Sequence, residues 1–288
     1  MTETGAGLPI QEVSRLLGVP APTLRSWERR YGVPVTTRSA GGHRRYTDPE
    51  LRQLRMFRDE VAIGHRASYA ASVVRGWAEG SLHQHRVEEL LAASDALRPE
   101  GVRQVLDTSR DELGLEVTVD AVLLPAMRQI GAWWSAGRCD EAQEHLTTEA
   151  VRGWLARVTA FAPPPESSAP VLLACGPRDL HSLGIEAFAA LLADNRLPSR
   201  LLGARTPSRT LVTAAEATAA AAVVVVSHLP SQRRPAVDAL RALDPDRRPI
   251  FYAGNAFLFP ASRKGVPGTY LGDNLGEAAR TVRAALAS

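Results

Sequence analysis

One proline-rich stretch, Pro163-Pro164-Pro165-Glu166-Ser167-Ser168-Ala169-Pro170, separates two parts of this 288-residue chain with different hydrophobic periods. Proline fixes φ and removes a backbone donor, so the stretch reads as an extended linker that no helix crosses. Beyond it, apolar residues come in short continuous runs. Val171-Leu172-Leu173-Ala174-Cys175 is bounded by Gly176-Pro177, and Ala222-Val223-Val224-Val225-Val226-Ser227 is rich in β-branched residues. Pro249-Ile250-Phe251-Tyr252-Ala253-Gly254 is a third run, with weaker candidates at 199–203 and 269–272. Residues 184–195 and 208–220 read as helices between them. Continuous apolar strands alternating with helices predict a parallel sheet covered on both faces.

Before the linker the period is helical. Val87, Leu90, Leu91 and Leu97 follow one apolar face, and Pro99 suits the first turn of a helix that turns Val102, Val105 and Leu106 inward. Residues 117–134 and 140–161 read as a third and a fourth helix. Four helices with short connections predict a bundle over 82–163, followed by a flavodoxin-like (Rossmann-type) doubly wound domain over 169–288. The expected class is therefore multidomain α and α/β. No run of 18 apolar residues occurs, so no membrane span is expected. Residues 1–9 hold Glu3 and no apolar run, which argues against a secretory signal. Cys139 and Cys175 lie too far apart in sequence to suggest a disulfide framework or a thiol metal cluster, and a reducing cytoplasm fits.

Charge is unevenly placed. Residues 1–78 hold 12 arginines and 7 carboxylates, a surplus of five, while the remainder carries a net charge of −2. That asymmetry is the footprint of an N-terminal nucleic-acid binder, although a solvated charged helix face has the same composition. Residues 10–17 read as a helix with Val13, Leu16 and Leu17 apolar, followed by the turn Gly18-Val19-Pro20 and a second helix over 21–31. A short Gly-containing turn before a polar second helix is the helix-turn-helix arrangement, whose second helix enters a major groove. Arg25, Arg29 and Arg30 can reach phosphates or guanine edges, whereas Leu24 and Trp27 hold the helix to the core. Next comes Thr37-Arg38-Ser39-Ala40-Gly41-Gly42-His43-Arg44-Arg45-Tyr46, whose glycines permit a tight turn with cationic groups at its tip, a wing against the backbone.

Over about residues 8–75 the chain closely resembles the MerR family. The resemblance is carried by Leu24-Arg25-Ser26-Trp27-Glu28-Arg29-Arg30-Tyr31-Gly32 and by Gly41-Gly42-His43-Arg44-Arg45-Tyr46. It implies a winged helix-turn-helix domain over 1–80 with Thr23, Arg25, Arg38, His43, Arg44, Arg45 and Tyr46 as DNA contacts, Tyr46 serving equally well as a packing residue. It also implies dimeric binding to a palindromic double-stranded operator. Metal-sensing members carry ligand cysteines after this region; none sits suitably here.

After the first strand comes Gly176-Pro177-Arg178-Asp179-Leu180-His181-Ser182-Leu183-Gly184, at the sheet edge where an α/β domain presents ligand groups. Imidazole ligates transition metals through one ring nitrogen, and a neighbouring carboxylate accepting the other nitrogen's proton raises its basicity. Asp179 and His181 are placed for such a relay, although a loop His beside an Asp is, taken alone, an ordinary surface pair. Ser227-His228-Leu229 and Ala253-Gly254-Asn255-Ala256 follow later strands at the same edge. Asp179-x-His181-x-x-Gly184, Ser227-x-Leu229 and the Gly254 loop together resemble the cobalamin-binding fold shared with methionine synthase. The resemblance implies His181 as the lower cobalt ligand, with Ser227 and the Gly254 loop lining the slot for the nucleotide tail. Ala253-Gly254 stands where many members have Gly-Gly; the added methyl would narrow the slot without excluding binding.

In the helical segment, Gly131-Ala132-Trp133-Trp134-Ser135-Ala136-Gly137 precedes Glu144-His145, with nine residues between Trp134 and Glu144. The pattern is similar to that of CarH/LitR-type photoreceptor regulators, although Trp134 as a bundle-core residue and Glu144-His145 as a solvated face is the plainer alternative. The resemblance implies that Trp134 packs on the upper group of adenosylcobalamin while Glu144 and His145 line its pocket. Light-sensing members often place a His directly after the capping Trp; here it is Ser135. The expectation is a non-enzymatic, adenosylcobalamin-dependent, light-responsive repressor, a dimer or tetramer, with carotenoid genes as the family's usual targets. A regulator of the same architecture that uses the corrinoid fold without light, or for protein contacts, is the alternative. A methyl-transferring corrinoid carrier is disfavoured by the attached DNA-binding segment.

Overall fold

The computed structural model describes residues 7–34, 45–62, 67–68, 70–71, 74 and 82–287. The described residues fall into two compact units: Met1–Glu88 with Ala126–Glu141, and Glu89–Pro125 with Ala142–Ser288.

In the first unit, β1 (Leu8–Pro9), α1 (Ile10–Leu17), α2 (Ala21–Tyr31), β2 (Arg45–Tyr46) and α3 (Asp48–Ala62) follow in order. Val13, Leu17, Leu24, Leu51 and Leu54 meet in one core, because helical spacing brings residues three or four apart onto one face. Gly18 ends α1 in the left-handed region at φ 65°, and the Ser14 hydroxyl donates to the Val19 carbonyl at 2.7 Å, so the turn into α2 is closed from both sides. Thr47 and Glu50 form a capping pair at the start of α3: Glu50 Oε2 accepts the Thr47 backbone N–H at 2.6 Å and the Thr47 hydroxyl at 2.9 Å. Trp27 lies 4.7 Å, centroid to centroid, from Phe57, which ties α2 to α3. The expected wing turn at Gly41-Gly42 lies outside the described residues.

The helical segment contains α4 (Leu82–Asp95), α5 (Pro99–Leu113), α6 (Leu115–Val117), a π-helical turn (Thr118–Leu123), α7 (Leu124–Ser135) and α8 (Glu141–Ala160). The periodicity predicts an uninterrupted helix over 117–134; the π-helical turn interrupts it. Asp120 on that turn accepts the backbone N–H groups of Leu275 at 2.8 Å and Gly276 at 2.9 Å, capping α12 (Leu275–Leu286). One turn earlier, Glu116 takes both of its oxygens to Arg280, at 2.7 and 2.8 Å. Trp154 on α8 is fully buried and donates its indole N–H to Asp107 on α5 at 2.8 Å. Among the described residues no helix is long and apolar enough to cross a membrane.

After the linker, β3 (Val171–Cys175), α9 (Leu183–Asp194), β4 (Ser199–Gly203), α10 (Ser208–Ala217), β5 (Ala222–Val226), α11 (Arg233–Arg241), β6 (Ile250–Ala253), β7 (Thr269–Tyr270) and α12 build a five-stranded sheet of order β4-β3-β5-β6-β7. All four pairings are parallel, with Val171 opposite Ala222 and Val223 opposite Ile250. Every residue of β3 and β5 is buried, as their unbroken apolar runs require of strands covered on both faces. Burying one such Val or Leu stabilises by about 1.5–3 kcal/mol. The strand order reverses between β3 and β5, and a doubly wound sheet binds its ligands just beyond the carboxyl ends of the strands at that point.

Candidate functional site

Two separate surfaces carry the chemistry. On α2, Arg25, Arg29 and Arg30 are exposed and Thr23 is half-buried. Arg25 and Arg29 are one helical turn apart and share a face. Arg45 is exposed on β2, its guanidinium 3.4 Å from the Gly7 carbonyl. Arg38, His43 and Arg44 lie outside the described residues. Tyr46 corrects its expected place among the DNA-facing side chains. It pairs with Leu8 across the two-stranded sheet and packs with Val13, Leu24 and Leu51 at 1 % exposure, so its ring is a core group.

The second surface is the switch point of the parallel sheet. Asp179, in the loop after β3, is 0 % exposed and its carboxylate is surrounded by donors. Oδ1 accepts the His181 backbone N–H and meets His181 Nδ1, both at 2.9 Å. Oδ2 accepts the His228 backbone N–H at 2.6 Å and meets His228 Nδ1 at 3.0 Å. Burial alone would raise the Asp179 carboxyl, but the hydrogen bonds from His181 and His228 outweigh it and hold the group well below the ordinary carboxylate range. The same hydrogen bond lifts His181 above the ordinary imidazole value, against the lowering effect of its partial burial. The His181 side chain remains 57 % exposed. Asp179 bound to Nδ1 therefore leaves Nε2 as the ring nitrogen that a neutral His181 can offer as an acceptor.

Neighbouring residues complete this edge. Ser227 directly follows β5 and is fully buried, and its hydroxyl has no hydrogen-bond partner. Its backbone is pressed against Gly254: a β-carbon at Gly254 would stand 2.3 Å from the Ser227 carbonyl oxygen, and Gly254 has φ 98°. Only glycine permits both the conformation and the approach. Gly184 lies in the first turn of α9, and Leu229 is exposed beside His228. Cys175 donates weakly to the His181 carbonyl at 3.7 Å, and burial pushes its thiol up to about 12, so it stays protonated. Asp179, His181, Gly184, Ser227, Leu229 and Gly254 thus gather at the loops that follow β3, β5 and β6. His228 joins them and was missed as a site residue; a second histidine directly after a strand, level with the Asp-x-His loop, was the signal that could have found it.

The helical candidates are placed as follows. Trp134 stands near the end of α7 with 55 % of its surface exposed, which excludes the plain core role. Ser135 spends its hydroxyl on the Gly131 carbonyl at 2.9 Å. Glu144 and His145, near the start of α8, pair through Oε2 and Nδ1 at 2.8 Å, and Thr148 donates to the other Glu144 oxygen at 2.8 Å. Trp134 belongs to the first compact unit, and Glu144, His145 and the sheet edge to the second.

Comparison with known proteins adds the following. Residues 8–68 match the MerR HTH family of regulatory proteins, and residues 86–159 match the family described as a B12 binding domain. The chain is 33 % identical over 217 residues to the HTH-type transcriptional repressor CarH of Myxococcus xanthus, covering 70 % of this chain and 72 % of that protein. It is 32 % identical over 213 residues to the repressor CarA of the same organism, covering 71 % and 70 %. The fold resembles a monomethylamine corrinoid protein of Methanosarcina barkeri with TM-score 0.57 at 14 % identity, over 69 % of this chain and 97 % of that one.

Proposed function

This chain belongs to the HTH-type transcriptional repressor family that includes CarH and CarA, and on that premise we propose that it is a repressor whose hold on DNA is set by bound adenosylcobalamin. The observation that carries the reading is the buried Asp179 carboxylate, which fixes an exposed His181 with its Nε2 uncommitted at the switch point of a parallel sheet. The residues present fit a corrinoid. An imidazole with a carboxylate behind it is a good donor for cobalt. Ser227 supports the reading as well, since its buried hydroxyl has no partner at this edge and a ligand entering there would satisfy it.

Within that reading His181 would hold the cobalt through Nε2, Gly184, Ser227, Leu229 and Gly254 would line the slot for the nucleotide tail, and Trp134, Glu144 and His145 would line the pocket of the adenosyl group. Adenosylcobalamin supplies a cobalt–carbon bond that visible light breaks. The division 1–80, 82–163 and 169–288 then separates DNA reading, capping and cofactor holding. Thr23, Arg25, Arg38, His43, Arg44 and Arg45 contact the phosphates and base edges of a palindromic operator. A cofactor shifts an assembly only by binding its states unequally, so the protein is read as a tetramer with adenosylcobalamin in the dark and a smaller species after illumination. Carotenoid genes are the proposed targets. A second reading, the same regulator without a light response, is favoured by one observation: Ser135 replaces the upper-face histidine, and its hydroxyl is already engaged.

The test loads purified protein with adenosylcobalamin in the dark, desalts it, and records the absorption spectrum and oligomer size before and after green light. Retained corrinoid with a light-dependent spectrum and size supports the full reading. Retention with no change in size leaves the light-independent regulator, and no retained colour overturns the cofactor assignment.

A further inference from the structure

The Asp-x-His-x-x-Gly motif accounts for one imidazole on Asp179; the structure has two. An ionised carboxylate has about four lone-pair sites. Here the backbone N–H and Nδ1 of His181 meet one oxygen at 2.9 Å each, and the backbone N–H and Nδ1 of His228 meet the other at 2.6 and 3.0 Å. All four donors lie in the loops after β3 and β5, so the carboxylate bridges the two sides of the switch point. Because the carboxylate only accepts, both rings carry their proton on Nδ1 and leave Nε2 as an acceptor. The two rings are not equivalent. The His228 side chain is 25 % exposed against 57 % for His181, and its Nε2 lies 3.8 Å from where a β-carbon at Gly184 would stand. The ring of His228 is therefore set against the first turn of α9, while His181 is the one open to a ligand. The two centroids are 5.4 Å apart.

We propose that His228 is a positioning residue for the lower ligand: by occupying the second oxygen of Asp179 it fixes the carboxylate plane, and with it the tautomer and orientation of His181. The proposal rests on the reading of His181 as the cobalt ligand. Without the His228 ring, Oδ2 keeps only its backbone donor. The carboxylate then keeps three of its four donors, with Oδ2 held through the His228 backbone N–H alone, so its plane is less tightly fixed. A ligand loses about 10–100-fold in metal affinity when its own hydrogen-bond partner is removed; Asp179 is that partner and His228 acts one step behind it, so the lower end of that range is expected.

The test uses full-length protein labelled with ¹⁵N-histidine and loaded with cob(II)alamin. The unpaired electron couples to the axial nitrogen. A protein imidazole then splits each cobalt line into two, whereas the cofactor's own ¹⁴N base splits it into three. The unmodified protein is expected to give doublets. His228→Phe keeps a ring but no donor; it is expected to bind about tenfold more weakly and to lose part of the doublet signal. His228→Asn, whose amide donates, is expected to restore the doublets. Unchanged affinity and undiluted doublets in His228→Phe overturn the proposal. Triplets in the unmodified protein overturn the His181 reading and this proposal with it. Nitrogen NMR of the cofactor-free, unmodified protein gives a check that needs no variant: both His181 and His228 are expected as the Nδ1–H tautomer, and an Nε2–H form of His228 contradicts the proposal.

Discussion

The helix-turn-helix and the edge of the parallel sheet carry their chemistry in opposite ways. On α2 the working groups are exposed guanidiniums on a helix whose other face, Leu24 and Trp27, does the packing. Recognition and stability are separable there, because a surface charge in high dielectric contributes little to folding. At the sheet edge the central group is a buried carboxylate whose four donors come from two loops, so one side chain both closes the local structure and orients the His181 ring. A phosphate-binding surface is tuned one arginine at a time; a buried relay is altered only as a unit.

Substitutions that try to break this contrast should differ in scale. The largest effect is expected from Gly254→Ala, where a methyl 2.3 Å from the Ser227 carbonyl and a φ of 98° both oppose the change. A loss of about 3 kcal/mol or more is expected in urea unfolding, with hydrogen exchange locating the loosening to β5 and β6. Next is Asp179→Ala, which strands two backbone N–H groups and two imidazoles at a partly buried site. About 2–3 kcal/mol of stability should go together with corrinoid retention after desalting, and retention without loss would break the claim that the two are joined. Arg25→Ala should act on one property only. Operator affinity should fall by about 1–3 kcal/mol for a base contact, or fall evenly across sequences with a shallower salt slope for a phosphate contact, while the melting temperature stays fixed.

The smallest effect is a pH dependence in the cofactor-free protein. His181 is raised above 6.5 by Asp179, so its contribution is full below that value and fades as pH rises through its folded value. Asp179 is depressed, so its contribution persists above 3.8 and is lost only as pH falls far below. Both are present together in the mildly acidic range. Melting curves from pH 5 to 9 should therefore show a shallow decline at the alkaline end that Asp179→Asn removes.

Much of the fold was legible because its signals are local. Helices α1 and α2 begin and end where Gly18 and the apolar spacing place them, and β3 and β4 match their expected bounds residue for residue. The Asp179-His181 relay was legible for the same reason, since both partners lie in one loop. What was not legible depends on chain segments far apart in sequence. The π-helical turn takes its reason from Asp120 capping a helix about 155 residues on, and nothing near Asp120 announces it. Tyr46 read equally well as a DNA contact and as a packing residue, and only the pairing with Leu8 decides for the core. His228 needed the parallel pairing of β3 with β5 to bring its ring onto Asp179.

The most direct test of the account is a dark titration of operator DNA, selected from a random duplex pool, with cofactor-free and adenosylcobalamin-loaded protein. The account predicts that loading raises operator affinity by about tenfold or more, which corresponds to a coupling of about 1.4 kcal/mol, and that His181→Ala abolishes the difference. Superimposable curves for the two forms of the unmodified protein would contradict it.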